Sequence, residues 1–253
     1  MDTWEDFELE AKAVVDSTRE NASEIVQLLQ NAIGLLGDGF SVAGNLPRTD
    51  ADLAKMGLLS ANFATLKCAT DIALRGYYTQ SVSLLRNVYE NWIAFHYLTE
   101  HPDESDAWLD GGKRPPGHSV MCKALGSHFN PLQGRMRESY GELCRFTHTS
   151  SVWVLPQIAT DRVPNEVTVH FGVNYDGELF KSCAYGICIW TGIMLAEVAR
   201  WVPTTIEWHN RHCTIQEEIL TFVDQMHSHG EQSPRVRIPN SPVPWQGSIG
   251  RVL

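Results

Sequence analysis

The chain has no CxxC pair and no zinc-type cysteine spacing, although it holds six cysteines in 253 residues. Cys68, Cys122, Cys144, Cys183, Cys188 and Cys213 therefore read as reduced thiols, which places the protein in a cytoplasmic setting. The sequence also has no Gly-rich phosphate loop, no GxSxG elbow and no pair of Glu-x-x-His helices. Those absences remove nucleotide-kinase, serine-hydrolase and di-metal bundle chemistry. Positive charge is scarce. Twenty Lys and Arg face thirty Asp and Glu, a formal net charge of −10, so the chain as a whole is neither a nucleic-acid coat nor an anionic-membrane binder. Its longest uncharged run, between Lys181 and Glu197, falls short of the roughly 20 residues that cross a bilayer core. No membrane partner is expected.

Helical periodicity fills most of what remains. Trp4, Phe7, Ala11, Val14, Ile25, Leu28, Ala32 and Leu36 recur on one stripe and predict a first helix over 3–36. Thr49 followed by Asp52 is a variant capping box at the head of a second, with Gly76 as its C-cap. Only a few residues then precede a helix over 79–101, so these two form an antiparallel hairpin. A helix ends near His148. Two more cover 178–201 and 205–227, broken at Pro203, and Ala184, Gly186 and Gly192 on the first of them admit a close neighbour. The fold class is all-α: a multi-helix antiparallel bundle over 1–230, with an irregular or β-hairpin insertion at about 150–176. A Pro-rich flexible tail covers 231–253.

The stretch LLRNVYENWIAFHY, residues 84–97, concentrates the functional question. On a wheel of about 100° per residue its apolar side chains cover roughly half the circumference, which makes this helix central and the most buried element of the bundle. Arg86 and Glu90 fall at the edge of that arc. Arg preceding Glu is the weaker order for a surface pair, stabilising by only about 0.2–0.5 kcal/mol, whereas a half-buried guanidinium demands a carboxylate and further acceptors. Two readings stay open: a structural polar network, or a functional site.

The runs GYYTQSVSLLRNVYENWIAFHYLTEHPDESDAWLDG and YGELCRFTHTS resemble a widespread bacterial family of uncharacterised helical proteins. That family carries an Arg-x-x-x-Glu helix and a later Tyr-x-x-Leu-x-x-x-x-His helix end. The resemblance covers about residues 60–150 and implies Arg86, Glu90, Tyr140 and His148 as the site. The family is in turn loosely similar to the HEPN superfamily, which includes ribonucleases and toxins of stress and phage-defence systems with an Arg-x4-6-His motif. This chain departs from that motif, because only two residues separate Arg145 from His148 and Arg137 lies further upstream.

Residues 113–148 are a basic island, with Lys113, Arg114, Lys123, Arg135, Arg137 and Arg145 against Glu138 and Glu142. Lys123, Arg137 and Arg145 are the candidate substrate contacts. If Arg86 and His148 converge, they supply a cation for a phosphate and a proton-transfer group, the minimum for metal-independent cleavage of RNA by its own 2′-hydroxyl. The expected activity is RNA cleavage or RNA binding with no cofactor and no metal. The alternative is a non-catalytic helical scaffold or sensor that oligomerises. His209, His212 and Cys213 share a helix face of the kind transition metals use, but without a distant partner they read as surface residues.

Overall fold

The computed structural model describes residues 4–43, 49–110, 116–125, 140–141, 143–144, 162–163, 166–167, 175–202 and 204–232. His148 and all but the first two residues of the expected tail lie outside them, and so do Arg137, Arg145 and most of the 150–176 insertion; residues 231–232 of that tail are the end of a helix. Within that insertion Arg162–Val163 pairs antiparallel with Glu166–Val167.

Apart from that two-residue pairing, the described part is helical and the fold class is all-α. Helix α1 spans Trp4–Asn21 and α2 Ser23–Ala43, so the single first helix read from periodicity is two segments, and the second runs past Leu36. Backbone hydrogen bonds continue through the junction, Ala22 N to Thr18 O and Val26 N to Ala22 O. The bend has a local cause. Thr18 Oγ1 donates back to Val14 O at 2.8 Å and sits 3.4 Å from Leu74 O, and such back-bonding tilts a helix. The expected apolar stripe also breaks here: Ala11 and Val14 are buried, but Trp4 and Phe7 are 76% and 40% exposed. Periodicity placed them on one face; α1 extends beyond the elements that cover that face.

Helix α3, Asp50–Leu74, starts on the predicted capping box, with Thr49 Oγ1 accepting from Asp52 N and Asp52 accepting from Thr49 N. Its C-cap is Arg75, and Gly76 lies one residue beyond at φ 86°. That left-handed backbone favours glycine, so Gly76→Ala is expected to cost about 1 kcal/mol, read as a lower urea midpoint at unchanged slope. An unchanged midpoint would show that the turn relaxes freely.

After three intervening residues α4 begins, Tyr78–Glu100, and returns along α3. Ser81 Oγ donates to Ala69 O, while Asn62 Nδ2 donates to Val88 O and its Oδ1 accepts from Asn91. These buried amides and hydroxyls are satisfied across the seam, which locks the antiparallel register. Two short helices follow, α5 at Ser105–Leu109 and α6 at His118–Ala124.

Helix α7, Gly177–Trp201, begins at the Asp176 cap and packs on α2, α3, α4 and on α8, Ile206–Gln232. Fourteen of its 25 residues are buried against 11 of 23 in α4, so α7, and not α4, is the most buried element. Small residues make this close packing feasible: a Cβ on Gly186 would sit 2.8 Å from Leu85 Cδ1, and one on Gly192 3.2 Å from Gln216 Oε1. Among the described residues α7 alone is long and apolar enough to cross a membrane, and most of it is covered by its neighbours.

Candidate functional site

Helix α4 carries Arg86 and Glu90 one turn apart on the side that faces Tyr140. Arg86 Nε donates to Glu90 Oε1 at 2.8 Å and a terminal nitrogen donates to Tyr140 Oη at 3.1 Å. Tyr140 in turn donates to Glu90 Oε1 at 3.2 Å, closing a triangle. The guanidinium also lies over the Tyr140 ring, 5.3 Å from its centroid. Glu90 raises the Arg86 pKa and holds it charged; burial opposes this without prevailing. Side-chain exposures of 25% for Arg86 and 36% for Glu90 put the pair on a seam that solvent reaches.

A second group meets the first through aromatic contact. His118, in the first turn of α6, stacks on Tyr140 with centroids 3.8 Å apart and planes inclined by 14°. Its Nε2 lies 3.0 Å from Tyr89 Oη and 3.2 Å from Cys122 Sγ. Burial lowers the His118 pKa, and Arg86 adds to that while Glu90 opposes it, so the ring is neutral at neutral pH. Burial raises the Cys122 thiol, with a hydrogen bond from Tyr89 only partly offsetting it, so this cysteine is not an activated nucleophile. Tyr140 is likewise pushed up by burial and by Cys144 one turn on, and it stays protonated.

Of the residues singled out from sequence, Arg86, Glu90 and Tyr140 are brought together. Lys123 is exposed at the last turn of α6, one residue past Cys122. His118, Cys122 and Tyr89 were not anticipated. The available signal was the four-residue His118–Cys122 spacing, masked because KRPPG just upstream reads as loop and α6 is only seven residues long.

A further polar cluster sits between α4 and α7. Glu197 Oε1 accepts from Trp92 Nε1 at 3.1 Å and from His96 Nε2 at 3.0 Å, and Arg200 lies 3.6 Å from Oε2. Burial pushes this carboxyl up, but His96, Trp92 and Arg200 together outweigh it, so Glu197 lies below the usual carboxylate range. Its side chain is only 8% exposed, which makes it a structural anchor closed to a substrate. Comparison with protein-family models, with curated proteins and with solved structures finds no match, so the functional argument rests on this geometry.

Proposed function

We propose that the seam between α4 and α6 is an RNA site at which the chain cleaves a phosphodiester without a metal, as part of a stress or phage-defence response. One observation carries the reading: a solvent-reached Arg86 guanidinium bonded to Tyr140, with neutral His118 stacked on the same tyrosine. Arg86 binds the phosphate and stabilises the charge that builds on it. Neutral His118 takes the 2′-hydroxyl proton, and a protonated His148 or the Tyr140 hydroxyl returns one to the leaving 5′-oxygen. Exposed Lys123, with Arg137 and Arg145 of the basic island, supplies further phosphate contacts.

The test is cleavage of single-stranded RNA in a chelating buffer at low salt. Wild type should release fragments ending in a 2′,3′-cyclic phosphate, and Arg86→Ala, His118→Ala and His148→Ala should each lower the rate by about 10²–10⁴-fold while their denaturation midpoints stay near wild type. A wild-type protein that neither cleaves nor binds RNA would defeat the proposal. The second reading, a non-catalytic scaffold that self-associates, is favoured by the closure of the Arg86, Glu90 and Tyr140 triangle, which satisfies the arginine internally. On that reading Glu90→Gln lowers stability and no histidine substitution changes anything done to RNA.

A further inference from the structure

The exposed face of α8 carries His209, His212 and Cys213, and each offers a ligand atom within 4.8 Å of the others. Cys213 Sγ and His209 Nε2 stand 3.8 Å apart. A tetrahedral zinc with N at about 2.0–2.1 Å and S at about 2.3 Å sets its donors about 3.3–3.6 Å from one another, so a small side-chain rotation closes the group on one ion.

His212 is already held in place. Its ring stacks on Trp208, centroids 5.2 Å apart and planes inclined by 20°, and Trp208 is anchored by donating Nε1–H to Leu35 O at 3.0 Å. The ring is also poorly served by the protein. Gln216 Nε2 donates to Gly192 O at 2.7 Å, which orients the amide, and the same nitrogen faces His212 Nε2 at 3.1 Å. A proton on Nε2 would set two donors against each other; a proton on Nδ1 leaves a buried N–H with no hydrogen-bond partner among the described residues. The ring is locked by stacking beside an exposed imidazole and an exposed thiol, so it loses little freedom on binding an ion.

We infer that His209, His212 and Cys213 form a binding site for a borderline divalent transition metal, with Zn²⁺ as the reference ion. Two imidazoles and one thiolate match its preference, and with three protein ligands the fourth position is left to water or an external ligand. As the metal–sulfur bond forms, the thiol proton leaves to solvent. The site shares no residue with the Arg86 seam and stands whether or not RNA is the substrate.

The experiment titrates the untagged full chain, stripped with a chelator, with Zn²⁺ by calorimetry and with Co²⁺ by absorbance. One equivalent should bind, and the Co²⁺ form should show a thiolate-to-metal charge-transfer band in the near ultraviolet. His209→Ala and Cys213→Ala should each weaken binding by at least about tenfold, and the double variant should abolish both signals. Both residues are exposed, so these variants should melt as wild type does and should treat RNA as wild type does. Absence of binding by wild type would overturn the site. So would binding retained in the double variant, or Co²⁺ bound without the band.

Discussion

Trp92→Ala is expected to lower the free energy of unfolding by about 3–5 kcal/mol, the range for truncating a buried aromatic. Trp92 sits 6.0 Å from Trp190, 6.5 Å from Tyr89 and 4.9 Å from His96 between ring centroids, so its loss opens a void between α4 and α7. It also removes a donor from Glu197. Trp92→Phe also loses the N–H but keeps one aromatic ring in the seam, so the difference between the two variants reports the larger void left by alanine. Urea denaturation of both variants checks this, with the alanine loss clearly exceeding the phenylalanine loss. A Trp92→Ala protein with a wild-type midpoint would mean that these helices do not pack as described.

Glu197→Ala comes next in size. It strands the Trp92 N–H and the His96 N–H in a buried seam, at about 1–3 kcal/mol for each unsatisfied donor. The same carboxylate makes stability pH-dependent in one direction. Its folded pKa lies below the unfolded value, so its contribution is complete above the unfolded carboxylate pKa and is lost as pH falls through the folded one. Wild type should therefore lose stability on acidification from about pH 4.3 downward, and Glu197→Gln should lose less over that interval. Parallel acid limbs for the two proteins would exclude Glu197 as a source. Because Trp92 and Glu197 share a hydrogen bond, the double variant should cost less than the two single losses added.

Some of the candidate site was legible in sequence because it is local. Arg86 and Glu90 lie on one turn of one helix, so their pairing follows from spacing, while the chemical demand of a half-buried guanidinium called for one more polar partner, and Tyr140 is that partner. His118 was not legible, since it reaches Tyr140 only through the path the chain takes between α5 and α6. The uncharged 182–196 stretch read as too short to cross a bilayer, and it forms the buried middle of α7. Glu197 served there only as its charged boundary, and that it turns inward on Trp92 depends on α4 and α7 meeting.

What the sequence by itself determined is the run of the four long helices after the first and their punctuation. The Thr49 and Asp52 cap, the turn at Gly76 and the break near Pro203 depend on residues within a few positions of one another. Tertiary structure alone decided the bend at Ala22, the exposure of Trp4 and Phe7, the primacy of α7 over α4 in the core and the burial of Glu197. The physical reason is the same in each case. Periodicity states which residues share a face of a helix, but how deeply that face is buried depends on how many other helices lie against it, and those contacts join residues far apart in the chain.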